Sequence, residues 1–224
     1  MLFCAHRAWG LELLERVRAQ HPSIEFVHIS SPEELTVESV KRARPRLALF
    51  PDWSWRVPTE VLLATTCIGF HAAPLPAFRG GSPIQNQIAA GVTDTAVTAF
   101  RMQARFDAGE ILLTSPLSLR GSLRQIFGRI KRSIAWMIDK ILRGEYSARP
   151  QAGPSNYVRR RRAEQSEIPD LQWPLARLYD HIRMLADPYP NAFIRRDGKR
   201  LTFKDARFDG ETLRFRGEIT CESS

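Results

Sequence analysis

Three short runs, residues 2–5, 47–50 and 67–70, are apolar on both faces, and segments with helical spacing separate them. A strand with no polar alternation can be buried only inside a sheet covered on both sides, which is the situation of parallel strands. Residues 8–20 place Trp9, Leu13, Leu14 and Val17 at helical intervals. Residues 25–29 read as a further strand. Ser31-Pro32-Glu33-Glu34 reads as a helix start, with a serine cap and proline in the first turn. Helices follow over 57–64 and 83–90, strands over 97–102 and 111–118, and a long amphipathic helix over 122–142.

This alternation predicts an α/β fold with an open, mostly parallel, Rossmann-like sheet flanked by helices. In such sheets ligands bind beyond the carboxyl ends of the strands. The pattern changes after residue 145. Residues 145–170 are rich in Pro, Ser, Gln and Arg and read as a long excursion. A helix over 175–185 follows, and then a hairpin whose strands, 193–196 and 201–203, flank Asp197-Gly198, a favoured tight-turn pair. The expected organisation is a catalytic unit over 1–145 and an extension over 146–224, with linker, helix and β-hairpin packed on it.

The chain has 224 residues, 43% of them hydrophobic, enough for a real core. No apolar run is long enough to span a bilayer, and the N-terminus enters a strand directly, without signal-peptide anatomy. The expectation is a cytoplasmic protein. Cys4, Cys67 and Cys221 are widely spaced and give neither a metal-ligand nor a disulfide pattern. The formal net charge of +9 favours an anionic partner. The densest basic cluster, Arg159-Arg160-Arg161-Arg162, reads as a solvated linker; it is too short, and too poor in interleaved aromatics, to make a nucleic-acid case.

The chemistry concentrates at His71, which ends an apolar run, and Asp107, which lies in a turn between two apolar runs. A His/Asp pair is the minimum equipment for moving a proton during acyl transfer. The Arg79-Gly80-Gly81-Ser82-Pro83 segment between them lets backbone approach a ligand closely, because glycine has no side chain to hold it off.

These segments resemble the N10-formyltetrahydrofolate-dependent formyltransferases. That family shows His-x-x-x-Leu-Pro-x-x-Arg-Gly, then Ser/Ala-Pro-Ile and a helix, then Asp-x-Gly; His71, Leu75, Pro76, Arg79, Gly80, Pro83, Asp107 and Gly109 fall in step. Tyr157, the arginines after it, Glu167-Ile168 and the Asp187-Pro188-Tyr189-Pro190-Asn191 stretch look like the segment that follows the catalytic domain in methionyl-tRNA and sugar formyltransferases. About twenty residues remain after the hairpin, so the added barrel of the tRNA enzymes is not expected.

The resemblance implies N10-formyltetrahydrofolate as formyl donor and a catalytic His71–Asp107 pair, with His71 hydrogen-bonding the oxyanion and Asp107 accepting the amine proton. The family usually has an asparagine two residues before the histidine; here that position is Gly69, and Asn86 is the nearest polar candidate in sequence for a third catalytic group. The folate is expected against Trp53, Trp55, Met102 and Phe106, with Arg79, Gly80 and Gly81 beside it, because a pterin ring needs flat apolar walls. Ala5, His6, Arg7 and Pro74 are assigned to the amine substrate, with Arg7 as a phosphate partner.

The Arg79-to-Asn86 variant of the motif, with Trp53-Ser54-Trp55 and Cys4-x-x-Arg7-x-Trp9, looks most like sugar-nucleotide N-formyltransferases of the pseudaminic-acid type; formylation domains of some peptide synthetases share it. The expected partner is a nucleotide-sugar rather than nucleic acid or membrane, and a homodimer is open to it. Two other readings stay open: transfer to another amine, such as an aminoacyl-tRNA or an amino-acid derivative, and a degenerate relative that binds without turnover.

Overall fold

The computed structural model describes residues 1–169 and 171–221; residue 170, at the end of the predicted excursion, and residues 222–224, at the end of the predicted extension, lie outside the described residues. The first sheet is six-stranded, in the order β2-β1-β3-β4-β6-β7. Its strands are β1 (Leu2–Ala5), β2 (Val27–Ile29), β3 (Ala48–Asp52), β4 (Cys67–His71), β6 (Asp94–Arg101) and β7 (Ile111–Ser118). β2, β1, β3 and β4 run parallel, β6 adds antiparallel to β4, and β7 adds antiparallel to β6. β1 and β3 are buried at every position, as the apolar run of each requires, and β3 ends in the buried Asp52.

Helices cover the sheet. α1 (Ala8–Gln20) buries Leu13, Leu14 and Val17, and α3 (Thr59–Ala64) buries Val61. α4 (Pro83–Ala89) buries Ile84 and Ile88. α5 (Leu123–Leu142) is capped by Ser122, which exchanges hydrogen bonds with Gln125, and buries Ile126, Ile130, Ile134, Met137, Ile138 and Ile141 along one face. The predicted helix start at Ser31 is a turn instead. Glu34 accepts from the amide and hydroxyl of Ser30, and α2 (Val37–Ala43) begins only after Thr36, whose side chain forms a capping box with Ser39.

The C-terminal part carries a second sheet. α6 (Leu175–Met184) is followed by β9 (Phe193–Arg196), β10 (Lys199–Phe208) and β11 (Leu213–Cys221), antiparallel in the order β11-β10-β9. The expected two-stranded hairpin is thus the first part of a three-stranded sheet. Leu178 and Ile182 of α6, with Phe203 and Ala206 of β10, join the same apolar cluster as Phe3, Leu49 and Ile134. Two short strands link the parts: β5 (Arg79–Gly80) pairs in parallel with β8 (Tyr157–Val158). Among the described residues no helix is long and apolar enough to cross a membrane.

Candidate active site

β4 ends at His71, at the same edge of the sheet where β1 ends at Ala5 and β3 at Asp52. The imidazole is buried, 7% exposed. Its Nε2 lies 2.7 Å from the Phe78 carbonyl oxygen. A carbonyl only accepts, so Nε2 must carry a hydrogen, and Nδ1 is the nitrogen turned to the site. Nδ1 stands 3.8 Å from Oδ2 of Asp107.

Asp107 sits in the connection between β6 and β7 with φ 47°, a left-handed conformation that a short polar side chain tolerates. The Gly80 amide donates to its Oδ2 at 2.8 Å. Its carbonyl accepts from Arg79 Nε at 3.0 Å and from Gln151 Nε2 at 2.8 Å; the Gln151 amide also reaches the Gly109 carbonyl at 2.8 Å. Arg79 donates further to Gln151 Oε1 at 2.6 Å. Arg79, expected against the folate, is buried behind the wall, where it braces the aspartate loop.

The pair opens on a cavity of about 700 Å³. One wall is aromatic and apolar: Phe50, Trp53, Trp55, Phe100, Met102 and Phe106. Trp53 meets Phe50 edge-on at 5.9 Å between ring centres and Trp55 at 5.0 Å. The Trp53 indole N–H is buried with no hydrogen-bond partner, so a donor faces its surroundings unsatisfied, which is costly unless a ligand accepts from it. Gly80 and Gly81 also line the cavity, so of the residues expected at the folate only Arg79 does not. Polar residues share the lining: Arg7, Asp52, Ser54, Arg160, Arg161 and Tyr189.

Of the residues expected at the amine substrate, only Arg7 lines the cavity. Its backbone N–H donates to Asp52 Oδ2 at 2.8 Å, its guanidinium pairs with Asp52 Oδ1, and its other terminal nitrogen donates to Ser54 Oγ at 2.9 Å. The charge of Arg7 is therefore already matched. His6 lies beside them, its Nε2 3.0 Å from Ser54 Oγ; burial, partly offset by Asp52, pushes its pKa down. Ala5 is fully buried in the strand, and Pro74 is exposed outside the cavity. Asn86 does not meet His71 and Asp107. Its amide nitrogen donates to the Gly81 carbonyl at 2.9 Å and the Arg159 carbonyl at 3.0 Å, which accounts for both of its N–H groups.

Gly69 has a packing reason. A Cβ there would lie 2.7 Å from two ring atoms of Phe100 and 3.2 Å from Met102 Cγ. The Phe100 ring fills the space that a side chain at this position would need. Gly69→Asn is therefore expected to destabilise the fold by about 1–3 kcal/mol through overpacking rather than to add an oxyanion donor. Thermal melting checks this; a variant with the wild-type melting temperature and raised turnover would show that the ring yields.

Sequence reading missed Phe100, Arg160, Arg161 and Tyr189. Phe100 reads as ordinary strand core, and the arginines enter the cavity only because β8 pairs with β5.

A buried histidine facing a half-buried aspartate at the carboxyl edge of an α/β sheet thus opens on an aromatic-lined cavity. Residues 15–120 match the family model described as formyl transferase, and residues 163–220 match that of the methionyl-tRNA formyltransferase C-terminal domain. The chain belongs to the formyl transferase family. It is 33% identical to a solved structure described as methionyl-tRNA formyltransferase from Clostridium thermocellum, covering 99% of this chain and 98% of that one with a TM-score of 0.93. It is 32% identical over 128 residues to methionyl-tRNA formyltransferase of Campylobacter fetus, covering 57% of this chain and 42% of that protein. A sugar N-formyltransferase from a Shewanella species shares the fold at 16% identity and a TM-score of 0.71, over 90% of this chain and 94% of that one. The chain spans 42%, 59% and 65% of the length of three curated relatives it matches.

Proposed function

We propose that the protein is an N-formyltransferase that moves the formyl group of N10-formyltetrahydrofolate onto the amine of a nucleotide-linked amino sugar. The observation that carries this reading is His71 Nδ1 facing Asp107 Oδ2 beside the aromatic-walled cavity. The cavity residues fit a folate. Trp53, Phe50, Phe100 and Met102 offer flat apolar walls for a pterin, and the unpaired Trp53 N–H offers it a donor. The folate supplies the formyl carbon.

The chain's own residues move the proton. With Nε2–H held by Phe78, neutral His71 accepts at Nδ1 the proton that the attacking amine releases. Asp107, held by the Gly80 amide, stabilises the imidazolium that results, and that proton then serves the leaving nitrogen. The role expected of His71 as an oxyanion donor is open to it only through Nδ1, and only once that nitrogen is protonated.

Folate addition is expected to quench tryptophan fluorescence. Trp53→Ala is expected to weaken folate binding by roughly 1–3 kcal/mol, since a large aromatic contact is lost. If both Trp53→Ala and Trp55→Ala bind folate like wild type, the pterin lies elsewhere.

A second acceptor, methionyl-tRNA, is favoured by the 33% identity to the Clostridium thermocellum structure of that description. Formyl transfer to a panel of amino-sugar nucleotides and to methionyl-tRNA, at two ionic strengths, separates the two. Transfer to a nucleotide-sugar with a shallow salt dependence supports the first reading; transfer to tRNA alone, with the steep salt slope of many phosphate contacts, replaces it. Folate binding with no transfer to either would identify a non-catalytic relative.

A further inference from the structure

The four consecutive arginines read as a solvated linker, yet two of them line the cavity. The local structure makes this a built arrangement. Arg79 N–H donates to the Asn156 carbonyl at 3.1 Å and Gly81 N–H to the Val158 carbonyl at 3.0 Å, carrying β8 along β5. A Cβ on Gly81 would stand 2.6 Å from Arg160 Cα, so only glycine lets the segment lie this close. The Arg161 N–H donates to Ser82 Oγ at 3.1 Å, and Asn86 holds the Arg159 carbonyl. Gly81, Ser82 and Asn86, from the part of the motif that distinguishes this chain, thus clamp the arginine segment over the site.

The two guanidinium groups are under-used. Arg160 donates to the Ser54 carbonyl at 3.1 Å, and Arg161 to the Gln165 carbonyl at 2.7 Å. The Nε of Arg161 is buried with no partner. Among the described residues no carboxylate pairs with either group, and the nearby Asp52 is already bound to Arg7. Arg7 and Arg160 both bond Ser54, Arg7 at its hydroxyl and Arg160 at its carbonyl, which places Arg7, Asp52 and Arg160 together at the cavity lining. Arg161 is half-buried, with its Nε shut off from water and unpaired, while Arg160 beside it is exposed at the cavity lining. A partly desolvated cation without a counter-charge favours an arriving anion, and the guanidinium fork matches phosphate oxygens two at a time.

We propose that Arg160 and Arg161 form a phosphate-binding subsite that holds the diphosphate of the acceptor. This rests on the formyltransferase reading of the same cavity and names the anion that the acceptor brings. Arg7, the arginine first assigned to phosphate, instead keeps Asp52 neutralised beside it.

The test is calorimetric titration of the folded full chain with inorganic pyrophosphate and with a nucleoside diphosphate, which requires no turnover. Arg160→Gln and Arg161→Gln are each expected to weaken binding by about tenfold or more, with Arg161→Lys recovering part of it, because lysine restores charge without the fork. Arg159→Gln and Arg162→Gln, which lie outside the cavity lining, serve as charge controls and are expected to bind nearly as wild type. The folate fluorescence titration shows that each variant is folded. In the transfer assay Arg161→Gln raises KM for the acceptor more than it lowers kcat. Equal losses in all four arginine variants, or wild-type binding by an Arg160→Gln/Arg161→Gln double variant, would overturn the subsite. Absence of formyl transfer alongside Arg161-dependent diphosphate binding would overturn the formyltransferase reading and leave the subsite standing.

Discussion

His71→Ala is expected to reduce formyl transfer by roughly 10²–10⁴-fold, the range for removal of a positioned acid–base group. The chain stays folded, because the loss at that site is one buried hydrogen bond to Phe78, about 1–2 kcal/mol of stability. Asp107→Asn separates charge from architecture. The amide oxygen can still accept from the Gly80 N–H, so the loop holds, while the negative charge facing Nδ1 at 3.8 Å is gone. Steady-state kinetics with matched melting curves read both. A His71→Ala variant that turns over near the wild-type rate would remove the pair from the mechanism.

Gly109→Ala is expected to cost about 3–5 kcal/mol, at the upper end for a single substitution. A Cβ at Gly109 would stand 1.7 Å from the Arg101 carbonyl oxygen, which is backbone and cannot rotate away. That carbonyl ends β6, where the connection that carries Asp107 begins, so the loop must open and the aspartate leave His71. Transfer activity should fall with stability. Gly128→Ala in α5 is the contrast: only the end of the Arg132 side chain lies within 4 Å, at 3.8 Å. There alanine should stabilise by about 0.5–1 kcal/mol through helix propensity. Chemical denaturation of both variants checks the pair of effects; similar melting for the two would contradict the close approach.

The features legible in the sequence are those with a local cause. β1, β3 and β4 show in their unbroken apolar runs, α1 and α5 in their helical spacing, and the edge of the sheet that carries the site in the position of His71 at a strand end. The arrangements that escaped depend on distant partners. β5 and β8 are two residues each and show no periodicity, so nothing local announces that Tyr157 will lie beside Arg79. Arg160 and Arg161 therefore look like solvated charges. Asn86 looks like a free helix residue until its partner at Arg159 is seen. β11 gives little local signal because it is exposed at nearly every position, and the contact of Phe215 with the buried Phe203 ring is made only once β11 pairs with β10. Gly69 could be seen to depart from the family pattern, but the Phe100 ring that fills its place comes from the antiparallel neighbour β6.

The most direct measurement of the central claim is a single-turnover reaction of the protein with N10-formyltetrahydrofolate and an amino-sugar nucleotide, followed by mass spectrometry of the acceptor. The predicted result is a mass gain of one formyl group on the acceptor amine, matched by release of tetrahydrofolate, present in wild type and lost in His71→Ala. Folate that is bound but never deformylated, across nucleotide-sugars and methionyl-tRNA alike, would contradict it.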